Sequence, residues 1–320
     1  MDNLAFCVGE PGDGILVGRP LYVGFFPDIQ ARAKSVYPSS VPDPPYCSYA
    51  TRVKVVLVDF GSVDPTSAEA VSAYEKALLE SNKNGTRIRA ILLASPHNPL
   101  GRPYAHEALV AFFQLCSKYS IHLISDEVYA KSHFPSTDVP DPPPFVSVLS
   151  FKLEDYIDPA LVHVIYALSK DFCANGIRIG ALLSPFNPQL MRAFRVVASF
   201  TRVSQLAEHV WLNILNDTSF LDSYFPQFQA RMTDAYEHGT SFLKANKIPY
   251  TPASVSGFIW MDLSRYLRED SPEAELELNW RMAKAWVWLA MGASFGSEKN
   301  GNFRMTFATP REELQLGMDR

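Results

Sequence analysis

Short apolar runs alternate with amphipathic stretches over the first two thirds of the chain. The runs predict buried strands in DGILVGRP, TRVKVVLVDF, RIRAILLASP, IHLISDEVY, LVHVIYALSK and RIGALLSP. Helical spacing of apolar residues predicts helices in SAEAVSAYEKALLESNKNG, with Ser67 as the expected N-cap, and in AHEALVAFFQLCSKYS. Strands alternating with helices predict an α/β fold, a mostly parallel sheet flanked by helices. Near-continuous Val, Ile and Leu content predicts strands buried on both faces.

The pattern changes after about Pro188. Helical patterns follow one another in QLMRAFRVVASF, SQLAEHVWLNILND and SYFPQFQARMTDAYEHGTSFLKANK. Then come the strand-like GFIWMDLS, a predicted helix across residues 273–291, and the strand-like GNFRMTFATP. We therefore predict a large α/β domain in residues 1–210 and a smaller α+β domain in residues 211–320. Proline-rich segments at 38–46 and 135–145 predict loops.

Composition narrows the class of protein. The chain has 320 residues, 47% of them hydrophobic and 20% charged, and a formal net charge of −5. Its basic residues form no run, which argues against nucleic acid or an anionic membrane as a partner. No apolar stretch reaches the roughly 20 residues of a membrane helix, and no signal-peptide pattern opens the chain. The four cysteines are scattered, which argues against a zinc site and favours reduced thiols in the cytoplasm: Cys7, Cys47, Cys116 and Cys173.

Polar side chains follow the predicted strands, where ligands bind in a doubly wound sheet. They include a phenol, an amide, a carboxylate, a second phenol, a lysine and an arginine: Tyr22, Asn98, Asp126, Tyr129, Lys170 and Arg178. Such a set suits a flat, anionic cofactor that contains a pyridine ring and forms an imine with lysine.

Each of these residues also has an ordinary explanation when it is taken alone. Lys170 could be a solvated charge, and Asn98 could only form the turn before a proline. Asp126 could be a cap or an ion-pair partner, and Glu127 is its rival. Strand alternation points these two carboxylates to opposite faces of the sheet. The scattered histidines are interpreted as structural.

Four motifs in register over some 200 residues carry a resemblance: SPHNPLG, SDEVYA, ALSKDFCANGIRIG and NFRMTFA. The chain resembles the fold type I pyridoxal-phosphate-dependent enzymes, class I/II aminotransferase family, and most of all their ACC-synthase-like branch. The resemblance implies pyridoxal 5′-phosphate as cofactor, an α-amino acid as substrate and a homodimer.

The same resemblance implies roles for individual residues. Lys170 would form an imine with the cofactor aldehyde and later carry the α-proton. Asp126 would keep the pyridine nitrogen protonated, which makes the ring an electron sink. Asn98 and Tyr129 would hydrogen-bond the ring's 3-oxygen, with Tyr129 counted as catalytic, and Tyr22 would stack on the ring.

The remaining roles concern the two anionic groups. Arg178, helped by Ser169, would bind the cofactor phosphate, and Arg304 would bind the substrate α-carboxylate through a bidentate pair. Ala167 stands where the family commonly has a phosphate-binding serine, so one phosphate contact is expected to be missing.

The first residues of the chain match a region well inside the family's members. The resemblance then implies that an N-terminal arm, a tyrosine that enters the neighbouring subunit's site and a Gly-rich phosphate turn precede it in relatives. Asp2 to Val8 would be the end of the helix that this turn begins. Without these parts we expect weaker cofactor binding and weaker dimerisation.

Three functions are consistent with these residues. The first is an aminotransferase-like enzyme, which we favour. The second is a lyase that closes a ring, as ACC synthase does, or eliminates at a carbon–sulfur bond, as in secondary metabolism. The third is a shortened, non-catalytic homologue.

Overall fold

The structure is a computed structural model that describes residues 1–30 and 53–320. The proline-rich loop predicted at 38–46, Cys47 and the start of the second predicted strand lie outside the described residues.

The first part of the chain forms a six-stranded sheet. Its strands are β1 Gly14–Gly18, β2 Lys54–Val58, β3 Ile88–Ala94, β4 His122–Asp126, β5 Val162–Ala167 and β6 Gly180–Leu183, in the spatial order β2-β1-β3-β4-β5-β6. The first five strands are parallel, and β6 pairs antiparallel with β5. The predicted mostly parallel sheet is confirmed.

Helices cover both faces of this sheet. They are α1 Asp2–Val8, α2 Phe25–Gln30, α3 Val71–Lys83, α4 His106–Tyr119, α5 Leu168–Asp171, α6 Pro188–Ala198 and α7 Gln205–Asn216. On one face Tyr74, Phe112 and Phe113 of α3 and α4 pack in the core, and on the other Leu4 and Leu190 of α1 and α6 do so. Burial on both faces explains why the strands carry few polar residues.

A second, antiparallel sheet lies in the C-terminal part. Its elements are α8 Thr218–Ala245, β7 Tyr250–Thr251, β8 Phe258–Asp262, α9 Pro272–Lys284, β9 Ala290–Met291, β10 Asn302–Thr306 and α10 Arg311–Met318, with strand order β7-β8-β10-β9. Tyr236, Phe303 and Phe307 form its core. This sheet fits a small C-terminal domain. Residue 210, the predicted boundary, falls inside α7, and the division into domains stays a prediction.

The helix predicted across residues 273–291 is too long. Helix α9 ends at Lys284, and Trp286 adopts a left-handed conformation with φ 64°. Ala290 and Met291 instead pair with Arg304 and Phe303 of β10. The apolar spacing was helical throughout, but the pairing that forms this short strand comes from a distant part of the chain.

The expectation for Ser67 is also wrong. Helix α3 begins at Val71, preceded by Ala70, and its first turn has no side-chain cap. The residues before it form turns, in which the backbone N–H and the hydroxyl of Thr66 both donate to Asp64 Oδ1. In the part of the chain that the structure describes, no helix has the length and hydropathy needed to cross a bilayer.

Candidate active site

A cavity of about 270 Å³ lies at the carboxyl ends of β3, β4 and β5. Seven of the eight site residues predicted from the sequence line it: Tyr22, Asn98, Asp126, Tyr129, Ser169, Lys170 and Arg178. The eighth, Arg304, reaches the same site from the second sheet, because its Nη1 donates to Asn98 Oδ1 at 3.0 Å. The structure therefore brings together all eight residues from six separate segments of the chain.

Lys170 lies on α5, a single helical turn that follows directly on β5. Its amine is 6.0 Å from the centre of the Tyr129 ring. Partial burial lowers the pKa of Lys170, and the nearby charge of Arg304 lowers it further, while Asp126 opposes the shift. A lowered pKa increases the fraction of neutral amine, which is the nucleophilic form.

Asp126 and Glu127 are on opposite sides of the sheet, as strand alternation predicts. Asp126 lines the cavity, and its Oδ1 accepts from Val128 N at 3.4 Å. Burial raises the pKa of Asp126 to about 6. Glu127 is buried away from the cavity, where its Oε1 accepts from Ser125 Oγ and Val148 N at 3.1 and 3.0 Å.

Asn98 lies in a turn whose shape depends on glycine. Gly101 has φ +66°, and an added Cβ would lie 2.6 Å from the Cβ of Ala253. The Gly101 carbonyl accepts from Ser254 N at 3.0 Å, so the turn packs directly against the segment leading to β8. Asn98 can therefore both belong to this turn and line the cavity. The residue is only 3% exposed.

Two tyrosines with raised pKa values line the cavity. Burial raises the pKa of Tyr129, whose ring meets Phe258 edge to face at 5.6 Å. Tyr22 meets Phe25 edge to face at 5.3 Å, and burial together with Asp28 and Asp126 raises its pKa. Both phenols therefore remain protonated donors at neutral pH.

Arg304 is held on β10 between two aromatic rings. Its guanidinium carbon is 4.7 Å from the centre of the Phe258 ring and 4.6 Å from that of Phe295. Burial lowers its pKa. Its buried Nε has no hydrogen-bond partner among the described residues, although Nη1 is bonded to Asn98. An unsatisfied buried donor of this kind suits a ligand carboxylate.

Arg178 also lines the cavity. It is exposed and adopts φ 61°, and its Nη1 donates to Asn175 O at 2.8 Å. Ser169 and Ala167 are lining residues as well. Ala167 precedes α5 and offers no hydroxyl, so the described cavity has one potential phosphate donor fewer than the family pattern.

Several neighbours were not singled out from the sequence. Phe25 and Asn175 line the cavity, and Phe258 and Phe295 hold Arg304. Asn175 follows Lys170 by five residues and could have been found from its place in the motif. The two phenylalanines carry no local signal, because distant packing brings them to Arg304.

The histidines interpreted as structural have structural contacts. His122 Nδ1 and His163 Nε2 are 2.8 Å apart, and His163 Nδ1 lies 2.9 Å from Ser184 Oγ. This chain of polar groups crosses β4, β5 and the end of β6. Burial lowers the pKa of both histidines, so they are neutral at pH 7.

Comparison with known proteins agrees with this geometry. The family described as aminotransferase class I and II matches residues 1–320, which is the whole chain. The chain belongs to the class I and II aminotransferase family. Members of this family depend on pyridoxal 5′-phosphate.

Particular relatives place the chain within the family. It is 31% identical over 327 residues to 1-aminocyclopropane-1-carboxylate synthase 2 of Oryza sativa subsp. japonica, covering 100% of this chain and 62% of that protein. It is 30% identical over 328 residues to the probable aminotransferase gliI of Aspergillus fumigatus, covering 100% and 70%. Aspartate aminotransferase of Thermus thermophilus has the same fold, with a TM-score of 0.76 at 21% identity and coverage of 99% and 71%.

The chain matches only part of the length of the plant synthases. The chain spans 62%, 57% and 59% of the synthases from rice, Cucurbita maxima and Solanum lycopersicum. The family, the fold and the ACC-synthase-like character therefore belong to this chain, whereas the activity of the longer proteins is a separate question.

The residues around the cavity fit the family's cofactor. Lys170 offers an amine of lowered pKa, and Tyr129 offers a protonated phenol. Asp126 offers a carboxylate at the cavity wall, and within residues 1–30 and 53–320 no lysine or arginine forms an ion pair with it. A carboxylate placed in this way suits the protonated nitrogen of a pyridine ring.

Proposed function

We propose that the chain is a pyridoxal-phosphate-dependent enzyme that acts on an α-amino acid through Lys170, and that its reaction is aminotransferase-like. One observation carries the proposal: an amine, a buried carboxylate and a phenol line one small cavity, and a buried arginine with a free donor adjoins it. When bound, the cofactor supplies an electron sink that stabilises the carbanion left after the α-proton is removed.

Lys170 would act twice in this reaction. Its neutral amine is the nucleophile towards the cofactor aldehyde, and its lowered pKa favours that form at neutral pH. Its amine would also take the α-proton of the substrate and, in transamination, give that proton back.

The other residues of the cavity would hold the reacting groups in place. Asp126 would hold the proton on the pyridine nitrogen, because an adjacent carboxylate favours the charged form. Asn98 and Tyr129 would donate to the ring's 3-oxygen, and Tyr22 would cover one ring face. Two further residues, Arg178 and Ser169, would bind the phosphate.

Arg304 would bind the substrate α-carboxylate. The Nη1 bond to Asn98 and the two flanking rings fix the guanidinium plane, and Nε remains as a donor. Each charge-assisted bond of this kind contributes about 1.5–3 kcal/mol.

A lyase reaction is the second candidate, because the similarity to ACC synthases favours it. Both reactions begin with removal of the same α-proton by Lys170. They diverge afterwards, since elimination needs a leaving group on the β or γ carbon. Incubation with candidate amino acids and assay for keto acid, ammonia, thiol or ring-closed product distinguishes them.

A visible spectrum tests the whole proposal. Protein purified with added pyridoxal 5′-phosphate should be yellow, and Lys170→Ala should abolish the band that Lys83→Ala, at an exposed site on α3, retains. Trapping with borohydride and peptide mass spectrometry should place the cofactor on Lys170. A wild-type protein that never takes up cofactor would support the non-catalytic alternative.

We also propose a homodimer. Large apolar side chains on α6, α7 and the link between them are exposed: Val196 67%, Phe200 87%, Leu206 73% and Leu212 55%. Large apolar side chains exposed along one part of the chain are typical of an interface. Light scattering should give twice the chain mass, and Phe200→Ser should lower that mass; a monomer at high concentration would refute the proposal.

A cytoplasmic location is proposed as well. It is supported by the free thiols of Cys116 and Cys173, which are typical of a reducing compartment. Cell fractionation tests it, and recovery of the protein outside the cytoplasm would contradict it.

A further inference from the structure

Asp171, the residue directly after Lys170, is a fully buried carboxylate with three donors. Its Oδ1 accepts from Ser132 Oγ at 2.5 Å, and its Oδ2 accepts from Lys131 N at 3.0 Å and Tyr166 OH at 2.9 Å. Every donor that reaches this carboxylate comes from outside the helix that carries Lys170. The carboxylate therefore joins separate parts of the chain.

Two of these donors belong to the turn that carries Tyr129. Ser132 N donates to Tyr129 O at 3.0 Å. Ser132 Oγ and Lys131 N both donate to the Asp171 carboxylate. Through one side chain, the turn of Tyr129 is fastened to the helix of Lys170.

The remaining contacts fix the helix itself. Tyr166 comes from β5, and Tyr224 of α8 donates its hydroxyl to the Asp171 carbonyl at 3.1 Å. Helix α5 is only four residues long, and so short a helix has little stability of its own. The position of the Lys170 amine must depend on these outside contacts.

A carboxylate suits this place better than an amide. The carboxylate accepts from all three partners at once. Lys131 N can only donate, whereas the hydroxyls of Ser132 and Tyr166 can also accept, so an asparagine could keep contacts here but would replace charge-assisted bonds with weaker neutral ones. Burial raises the pKa of Asp171 to about 6, while the bonds from Ser132 and Lys131 oppose that shift. The carboxylate is therefore largely ionised at pH 7 and above.

We propose that Asp171 is a positioning residue that fixes the Lys170 amine and the Tyr129 phenol relative to each other. The proposal rests on the proposed function, because these two groups are the ones that would act on the cofactor. Asp171 itself does not line the cavity. Its effect must pass through Lys170 and Tyr129.

The test compares Asp171→Asn with Asp138→Asn. Asp138 is the control, because its Oδ2 accepts from the phenols of Tyr236 and Tyr250 and it does not line the cavity. Its Oδ1 also pairs with Lys244, a bond that the control variant weakens too. Both variants replace a carboxylate that accepts several hydrogen bonds, and thermal melts check that both still fold. Only Asp171→Asn should disturb Lys170.

Two measurements report a change at the Lys170 amine, and neither requires catalytic turnover. In cofactor-free protein, the rate at which acetic anhydride labels Lys170, followed by peptide mass spectrometry over pH, reports the state of its amine. With added cofactor, the rate at which the visible band forms reports its placement. We expect band formation to slow by about tenfold to 100-fold in Asp171→Asn and to stay unchanged in Asp138→Asn.

Milder variants cover the case in which Asp171→Asn does not fold. Ser132→Ala and Tyr166→Phe each remove one donor and should each slow band formation by a smaller factor, with a larger factor when combined. Labelling profiles and band-formation rates equal to those of wild type in every folded variant would make Asp171 merely structural. A wild type that forms no band would instead overturn the proposed function, and this proposal with it.

Discussion

The two ends of the candidate site are built in different ways. At the cofactor end, defined by Lys170, Asp126 and Tyr129, the side chains come from turns that follow parallel strands. Their segments are tied together by hydrogen bonds, above all those to Asp171. At the carboxylate end, defined by Arg304, a single residue lies on an antiparallel strand between two aromatic rings.

The two constructions suit different tasks: the first assembles several chemical groups, and the second orients one cation. Parallel strands end at one edge of a sheet, so several short turns can bring different chemical groups to one place. The backbone of an arginine on a strand is rigid, and two neighbouring rings restrict its long side chain. The guanidinium is therefore preorganised to bind a carboxylate. The two ends are still linked, because Arg304 Nη1 donates to Asn98 Oδ1 and the charge of Arg304 lowers the pKa of Lys170.

The largest effect is expected for Arg304→Gln. Loss of a bidentate, charge-assisted pair removes about 3 kcal/mol of substrate binding, so kcat/KM for α-amino acids should fall by roughly 100-fold. The visible band should still form, but at higher pH than in wild type, because the lost charge of Arg304 no longer lowers the pKa of Lys170. Steady-state kinetics together with absorbance measure both.

Arg311→Gln is the control for this change. Arg311 is an exposed arginine whose Nη1 pairs with Asp234 on the surface, so its loss should leave kcat/KM unchanged. A variant at 304 that loses the visible band but keeps its affinity for substrate would show that Arg304 serves the cofactor and not the substrate carboxylate.

The sequence predicts the cofactor end better than the carboxylate end. Tyr22, Asn98, Asp126 and Lys170 each follow a recognisable strand, and one periodic pattern places them all at one edge. Arg304 was found only through its motif, and its two rings were not found at all. Phe258 and Phe295 reach it through packing over long separations, which no local pattern encodes.

The same reason explains the errors in the fold. The large sheet has long apolar strands that are recognisable one by one, and its prediction is confirmed. Strand β9 has two residues and exists only because β10 pairs with it. Asp171 is similar, because its sequence neighbour Lys170 is conspicuous while its three donors become apparent only in the folded chain.

The next effect concerns Asp126 and pH. Burial raises its pKa from an ordinary 3.8 to about 6, so the charged form costs stability in the cofactor-free protein. That protein should lose stability from this group as pH rises from about 4 through 6. Cofactor binding needs the charged form, so cofactor affinity should fall by up to roughly tenfold per pH unit below 6.

Asp126→Asn separates these two consequences. It should stabilise the cofactor-free protein at pH 7 in thermal melts and should weaken cofactor binding at the same pH. It should also flatten the pH dependence of that binding below 6, measured by titrating the visible band. Glu127→Gln, changed on the opposite face of the sheet, should leave the dependence in place; the reverse pattern would exchange the roles of the two acids.

The smallest effect, and the finest test of the carboxylate end, is Phe295→Leu. Leucine keeps most of the apolar packing but removes one ring face from the Arg304 guanidinium, which is 4.6 Å from the ring centre. A cation–π contact of about 0.5–2 kcal/mol corresponds to a rise in KM of roughly twofold to 30-fold, with kcat little changed. Phe303→Leu is the matched control, because Phe303 is equally buried on β10 but packs in the core of the second sheet.

Both leucine variants should lower the melting temperature, because each leaves a cavity in a packed core. Of these two variants, only Phe295→Leu should raise KM. A third variant, Phe258→Leu, should also raise KM, and it removes the edge contact with Tyr129 as well. If KM follows the melting temperature in all three variants, the rings merely fill space. If KM rises only at 295 and 258, the two rings determine how Arg304 presents its donors, and the carboxylate end is ordered by its aromatic contacts much as the cofactor end is ordered by its hydrogen bonds.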